Sequence, residues 1–309
     1  MDKRPARQGP NLTGLGLANA RLRSGGFWLA RVAMLWALAL FFGLPLLWLV
    51  LAPSKTNGQL GTTAPLSFGS FGNYETAFHN LFNAQGGIFV TWLENSFIYV
   101  AASVAIALVL SICAGYALAM FQFPGRRAVL IATLIAMITP SAALVLPVFL
   151  EMSLFHLLNT AFAVILPSGF FPFGAYLSYV YFSTSLPREI VEGARVDGAR
   201  EFAIFRSIAL PLAKPLLGLV GFFAFVGQWN NFFLVSVMIS SPGRYNLQVG
   251  MSTLLSGAFF ANPSVPIAAG ILRPELALGG MLLAAPVVVV FLFVQRYLIR
   301  GLLAGYGIG

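Results

Sequence analysis

Charged residues are scarce in this sequence. Aspartate, glutamate, lysine and arginine together make up 9% of the 309 residues, whereas 59% are hydrophobic. A soluble domain usually carries about 25% charged residues, so the composition excludes an ordinary soluble protein. The apolar residues come in blocks of about twenty, and a helix of that length crosses the hydrocarbon core of a bilayer. We therefore predict an all-α polytopic membrane protein.

Residues that perform catalysis or bind metals are also missing. The single cysteine, Cys113, excludes an intrachain disulfide and a cysteine-based metal site. The two histidines, His79 and His156, fall outside the predicted span interiors and make no metal site or catalytic pair. There is no phosphate-binding loop, no Gly-x-Ser-x-Gly elbow and no His-Glu-x-x-His motif. We expect no catalytic residue, no metal site and no cofactor bound by this chain.

Six apolar segments are long enough to cross the membrane. Their interiors are nearly free of ionisable residues, which secondary transporters and pumps usually need for ions or protons. If the protein moves a solute uphill, the energy must therefore come from another polypeptide. The predicted spans are residues 28–51, 96–121, 129–150, 161–182, 216–239 and 276–298.

Basic residues lie mostly on one side of these spans. Of the 18 lysines and arginines, all but Lys55, Arg244 and Arg273 fall in the tail and start of span one, the loops after spans two and four, and the C-terminus. Cytoplasmic loops carry the excess of basic residues, so both termini are placed in the cytoplasm. The net charge of +9 is then explained without a nucleic-acid partner.

These features divide the chain into three parts. Residues 1–27 form a basic cytoplasmic tail that we expect to be partly disordered near anionic lipid headgroups. Residues 28–94 hold the first transmembrane helix and an extracytoplasmic segment. Residues 95–309 form the core transmembrane domain.

The most charged stretch is a cytoplasmic segment, Arg188–Pro215, with four acidic and five basic residues. Two readings are open: an amphipathic loop that packs against lipid headgroups, and a docking element for a partner that supplies energy. Glu192 is spaced for ion pairs with Arg188 and Arg195 on one helix.

This segment is predicted to fold as two short helices. Pro187 favours a helix start, and the first helix is expected to run to about Val196. Gly198 permits a backbone turn that a β-carbon would hinder. Asp197 is placed to cap the second helix, which we predict over about 199–208.

The order of residues here resembles the EAA loop of ABC importer permeases. That family pattern is Glu-Ala-Ala, three residues, Gly, nine residues and Ile-x-Leu-Pro. One position departs from it, because Gly193 stands where the second motif residue is usually alanine. The flanking Leu-Pro-Arg-Glu and Asp-Gly-Ala sequences resemble the MalG-like branch of sugar importers. The matching residues are Glu192, Ala194, Gly198, Ile208, Leu210 and Pro211.

Three further stretches resemble the same family and extend the likeness over residues 68–309. The stretch at 261–275 is interpreted as a family-variable insert. The three stretches are residues 73–100, 226–239 and 295–309.

The resemblance implies a MetI-like permease fold in the inner (plasma) membrane of a prokaryote. It implies a transporter subunit rather than an enzyme, forming the pathway for a sugar. The implied partners are a second permease subunit of a different kind, two cytoplasmic ATPase subunits that hold ATP and Mg²⁺, and an extracytoplasmic solute-binding protein.

In such permeases the EAA region is a coupling loop that docks on the ATPase. Here it corresponds to residues 185–212. The residues carried over as docking residues are Glu192, Gly193, Ala194 and Gly198 by motif position, with Arg195, Asp197 and Arg200 from the charged tip.

Polar and aromatic residues of spans four and five are candidates for the sugar pathway. Trp229, Asn230 and Asn231 lie near the middle of span five, where a polar side chain is costly unless it faces a cavity or a partner helix. Tyr176 and Tyr179 lie in span four. Packing between helices is the other reading of all five residues.

Two alternatives to a sugar permease stay open. One is an importer permease for a non-sugar solute, such as glycerol phosphate, a peptide or an amino acid. The other is a membrane-embedded enzyme, which would need nucleophiles, carboxylates or histidines clustered at one membrane face. No such cluster is visible in the sequence.

Overall fold

The computed structural model describes residues 13–257 and 271–304, with side chains over 28–257 and 271–295. Residues 1–12 of the predicted tail, residues 261–270 of the insert and residues 305–309 lie outside the described residues. The described part contains α-helices and no strand. In chain order the α-helices are α1 (Thr13–Leu51), α2 (Gln59–Thr62), α3 (Phe71–Asn83), α4 (Ile88–Met120), α5 (Arg126–Ile138), α6 (Ser141–Leu154), α7 (Phe162–Gly169), α8 (Pro172–Ser185), α9 (Arg188–Val196), α10 (Glu201–Ile204), α11 (Leu210–Leu212), α12 (Lys214–Trp229), α13 (Phe233–Met238), α14 (Leu247–Ser256) and α15 (Arg273–Ala304).

Helices of sufficient length and apolarity account for the predicted spans. Four stretches pass this test alone: Trp28–Ser54, Ile88–Met120, Phe162–Ser185 and Arg273–Gln295. Two bent pairs pass it together, α5 with α6 at 108° and Glu201–Leu212 with α12 at 78°. Counting each pair as one span gives up to six, and the predicted all-α membrane architecture is confirmed. The first part of the second pair, Glu201–Leu212, belongs to the coupling loop, and the predicted fifth span, 216–239, consists of α12 and α13.

Three of the six predicted spans are interrupted rather than continuous. Pro140 and Pro172 occupy two of the interruptions, where a residue without an N–H leaves a helical hydrogen bond unmade. Each interruption places non-helical backbone within an apolar segment. The interruptions lie between Ile138 and Ser141, between Gly169 and Pro172, and between Trp229 and Phe233.

α4 lies at the centre of the fold and packs along α7, α8 and α12. Its contact with α8 depends on small residues. A β-carbon added at Gly115 would lie 2.2 Å from the Ser178 Cβ, and one at Gly174 would lie 2.7 Å from Ser111 Oγ. Small residues let helix backbones approach closely in a membrane, where association depends on packing and hydrogen bonds.

The outer end of α4 fixes the turn that follows α13. Side chains on one face of the helix donate to backbone carbonyls of this turn, so its shape does not depend on its own sequence alone. The donors and acceptors are Trp92 Nε1 to Pro242 O (2.8 Å), Asn95 Nδ2 to Gly243 O and Tyr245 O (both 3.0 Å), and Tyr99 OH to Arg244 O (2.8 Å).

The extracytoplasmic segment after α1 packs on the start of α15. Lys55 is 2% exposed, and its Nζ donates to the carbonyls of Ala64 (2.6 Å) and Pro65 (3.3 Å). Asn80 of α3 donates to Glu275 Oε1 at 3.0 Å. α1 begins at Thr13, inside the predicted tail, and the three-part division of the chain stays a prediction.

Gly115→Ala is expected to lower the free energy of unfolding by about 1–3 kcal/mol, because overpacking forces helices apart. The control is Gly43→Ala on α1, where nothing lies within 4 Å of an added β-carbon. Thermal unfolding in detergent measures both. Equal midpoints for the two variants would show that the α4–α8 contact tolerates a methyl group.

Candidate functional site

The first helix of the coupling loop forms as predicted. α9 runs Arg188–Val196 after Pro187, with Glu189 in its first turn and Arg195 in its last. The helix dipole favours a negative charge in the first turn and a positive charge in the last turn, so both residues stabilise the helix. Val191, 1% exposed, faces the protein, whereas Glu192 is exposed.

The turn after α9 is a Schellman motif that requires glycine. Gly198 has φ +81°, a conformation that residues with a β-carbon rarely adopt. The Ala199 N–H donates to Ala194 O at 2.9 Å, and the Gly198 N–H donates to Arg195 O at 3.0 Å. These two bonds satisfy carbonyls that the end of the helix leaves free.

The second helix differs from the prediction. α10 begins at Glu201 after Arg200, and no side chain caps it, so the expected capping role of Asp197 is wrong. Asp197 instead ends α9, where its N–H donates to Gly193 O. The chain then widens into a π-helix, Phe205–Ala209, which precedes Pro211. Isolated π-helical turns of this kind often lie at functional sites.

An ion pair joins the two short helices across the turn. Arg195 Nε and Nη2 donate to the two carboxylate oxygens of Glu201 at 2.6 Å and 3.2 Å. This hydrogen bonding raises the pKa of the Arg195 guanidinium above its ordinary value. Within the described loop, no salt bridge joins Glu192 to Arg188 or Arg195, so the predicted pairing along α9 is wrong.

The coupling loop is anchored to the cytoplasmic ends of three spans. Val191 and Ile204 pack into one apolar cluster with Tyr116 of α4, Phe182 of α8 and Leu216 of α12. The Tyr116 ring lies 5.4 Å from that of Phe182, centroid to centroid. The loop is therefore joined to these three spans by side-chain packing.

The opposite surface of the loop is exposed within the part of the chain that the structure describes. Val196 is 87% exposed and Phe202 is 72% exposed, beside the exposed charges of Asp197 and Arg200. A cavity of about 210 Å³ separates α9 from the end of α4. Exposed apolar side chains ringed by charges are typical of a protein-binding surface.

The predicted pathway residues have different surroundings. Trp229 is 2% exposed, and its Nε1 donates to Leu283 O at 2.8 Å. Asn230 is exposed and donates to Val226 O at 2.9 Å, within its own helix. Asn231 lines a cavity of about 300 Å³.

Tyr176 and Tyr179 lie along α8 and do not line that cavity. Their rings are 6.1 Å apart, and the guanidinium of Arg126 lies 5.9 Å from the centre of the Tyr179 ring. The substrate roles assigned to all five residues stay predictions.

The cavity also contains residues that the sequence reasoning missed. Thr139, Ser141, Ser168 and Gln228 line it with Asn231, and each lies at or beside one of the three helix interruptions. A signal was present in the sequence, because interrupted apolar segments are a pointer to binding sites in transporters. Thr-Pro-Ser at 139–141 and Pro-Ser-Gly-Phe-Phe-Pro at 167–172 are such interruptions.

A protein-family model described as the binding-protein-dependent transport system inner membrane component matches residues 107–303. The chain belongs to this family. It is therefore an inner membrane transport component, and this confirms the membership, location and transport role that the coupling loop predicted.

Relatives of this permease transport sugars, by their names. The arabinooligosaccharides transport system permease protein AraQ of Halalkalibacterium halodurans is 34% identical over 72% of this chain and 75% of its own length. The maltodextrin transport system permease protein MdxG of Bacillus subtilis is 31% identical over 71% of this chain and 75% of its own. The trehalose transport system permease protein SugB of Mycobacterium tuberculosis is 30% identical over 89% of this chain and 98% of its own length.

A solved structure has the same fold as the permease. It is a chain in the crystal structure of a bacterial ABC transporter involved in the import of the acidic polysaccharide alginate. The TM-score is 0.72 at 21% identity, over 88% of this chain and 96% of that one.

Two Gly→Ala variants separate turn geometry from helix propensity in the permease's coupling loop. Gly198→Ala places a β-carbon at φ +81°, which costs about 1–2 kcal/mol. Gly193→Ala, with nothing within 4 Å, should stabilise α9 by up to about 1 kcal/mol.

Hydrogen exchange of the loop amides measures both effects. We expect faster exchange at residues 198 and 199 in Gly198→Ala, and equal or slower exchange in Gly193→Ala. Unchanged protection in Gly198→Ala would mean that the Schellman turn does not hold the loop.

Proposed function

We propose that this chain is the transmembrane permease subunit of an ATP-driven sugar importer, coupled to a cytoplasmic ATPase through residues 188–212. The observation that carries the proposal is the coupling loop, which is anchored on three spans and exposes Val196 and Phe202 on its outer surface. Such a loop is suited to receiving a force from a partner and passing it to the membrane helices.

The energy comes from the partner in this proposal. ATP and Mg²⁺ are held by two ATPase subunits, and this chain binds neither. Glu192, Gly193, Ala194 and Gly198 contact the ATPase, and Arg195, Asp197 and Arg200 lie at the charged rim. The Arg195–Glu201 ion pair keeps α9 and α10 in one orientation while the surface is engaged.

In this proposal, ATP-driven movement of the coupling loop is transmitted to the membrane helices through the bend between the loop and α12. The Tyr181 hydroxyl of α8 donates to Leu212 O at 2.8 Å, just before the 78° bend. This bond satisfies a carbonyl at the end of α11 and links span four to the bend. A displaced coupling loop therefore turns α12 and α8 together.

Among the possible transported solutes, a sugar has the most support. The named relatives carry arabinooligosaccharides, maltodextrin and trehalose. None of the residues that line the cavity at the helix interruptions is ionisable. Charged solutes such as glycerol phosphate would benefit from a charged partner there, so the neutral lining favours an uncharged cargo.

The remaining partners are a solute-binding protein outside the membrane and a second permease subunit, different from this one. The apolar faces of α1, α5 and α6 are left exposed, with Ile138 81% and Leu154 79% exposed. Lipid and a second membrane subunit are the two surroundings that such faces require.

Glu192→Lys tests the docking role. Reversing a charge in a close protein contact costs about 2–5 kcal/mol, so we expect the ATPase to be lost from the purified complex and uptake to fall at least tenfold. Copurification of the ATPase and uptake of labelled sugar measure the two effects.

Glu75→Lys is the matched control, since Glu75 is equally exposed but lies on α3, outside the coupling loop. It should leave the ATPase bound. Normal assembly and uptake in Glu192→Lys would rule out docking through this face.

A further inference from the structure

We propose that the cavity at the three helix interruptions is a binding site for an uncharged, hydroxyl-rich sugar unit, and that this subunit contacts the cargo there. The proposal rests on the sugar-importer function above and adds which residues of this chain hold the sugar. The contact groups are the side chains of Thr139, Ser141, Ser168, Gln228 and Asn231, which line the cavity.

The position of the cavity is the first argument. It is lined from the ends of α5, α6, α7, α8, α12 and α13, so the three interrupted spans meet around one space. Non-helical backbone at membrane depth is tolerated where it is buried in protein or lines a water-filled cavity. Three interruptions around one cavity are expected of a binding site rather than of packing alone.

Preorganised amides are the second argument. Gln228 Nε2 donates to Ser168 O at 2.9 Å, and Asn231 Nδ2 lies 3.4 Å from Ser168 Oγ and 3.3 Å from Gln228 Oε1. The Asn231 carbonyl accepts from Asn246 Nδ2 at 3.0 Å. Both amides are therefore held in fixed orientations before any ligand arrives, which lowers the entropy lost on binding.

Hydrogen-bonding capacity is left over in this network. Within the described residues, no hydrogen bond reaches Asn231 Oδ1 or Ser141 Oγ. An amide oxygen and a hydroxyl can accept from, and donate to, the hydroxyl groups of a sugar. Truncating Ser141 removes no hydrogen bond among the described residues, so Ser141 is the cleanest point at which to test the site.

The remaining lining suits a sugar ring. Phe170 is 71% exposed and Phe233 is 49% exposed, and both line the cavity beside the polar groups. Binding pockets for small molecules are mostly apolar with a few placed polar groups, at about 300–1,000 Å³. A cavity of about 300 Å³ is at the small end of that range, which favours one sugar unit at a time.

The experiment uses the complete transporter in proteoliposomes with its sugar-loaded binding protein. Trehalose, maltotriose and arabinotriose are the probes, and the one that the unmodified transporter carries fastest is used throughout. The variants are Ser141→Ala and Asn231→Ala. Ser236→Ala, exposed on α13 and outside the cavity lining, is the matched control.

We expect the rate of sugar import per transporter to fall about five- to tenfold in the Ser141 and Asn231 variants, which corresponds to one or two lost hydrogen bonds. ATP hydrolysis stimulated by the binding protein should stay near the unmodified rate, because the coupling loop is intact. Ser236→Ala should match the unmodified transporter in both measurements.

Two outcomes overturn the site. Unchanged import in both variants would exclude a contact with cargo, and a parallel loss of import and ATP hydrolysis would assign these residues to structure or coupling. If the unmodified transporter hydrolyses ATP but carries none of the three sugars, the sugar function itself fails, and this result is distinct from failure of the site.

Discussion

Satisfying backbone hydrogen bonds without water is the constraint on which this fold depends. In the bilayer every N–H and C=O needs a partner within the protein, and an interrupted helix leaves several without one. Here polar side chains from neighbouring helices supply the missing bonds. The pairs are Gln228 Nε2 to Ser168 O, Ser111 Oγ to Phe171 O and Asn246 Nδ2 to Asn231 O. The polar side chains of the spans therefore first form hydrogen bonds with the backbone. Only polar atoms without such a bond are available to a ligand.

The same constraint connects the cytoplasmic surface to the cavity. Glycine at 198 closes the end of α9, and Tyr181 satisfies Leu212 O at the bend before α12. α12 then runs 16 residues, about 24 Å at 1.5 Å per residue, to Trp229, where the cavity begins. One end of a single helix is thus held by the coupling loop and the other carries Gln228 into the cavity.

Span number and the glycine turn could be predicted because each depends on local sequence: the length of an apolar run and the backbone freedom at one residue. Prolines in the sequence mark candidate interruptions but do not show which of them form, because a proline does not by itself break a membrane helix. Pro45, Pro147, Pro167 and Pro286 all lie inside helices, whereas Pro140 and Pro172 lie at breaks. Neighbouring helices in three dimensions decide which backbone groups find new partners.

The stretch Trp229-Asn230-Asn231 shows the limit most directly. Trp229 is the last residue of α12, whereas Asn230 and Asn231 lie in the interruption that follows, so no single helical face sets the directions of the three side chains. Trp229 is buried against α15, Asn230 bonds to its own helix, and Asn231 alone reaches the cavity. Gln228 reaches it too and supports Asn231 from one turn back. Side-chain chemistry in the sequence points to this region, and the backbone at the interruption decides which of its side chains line the cavity.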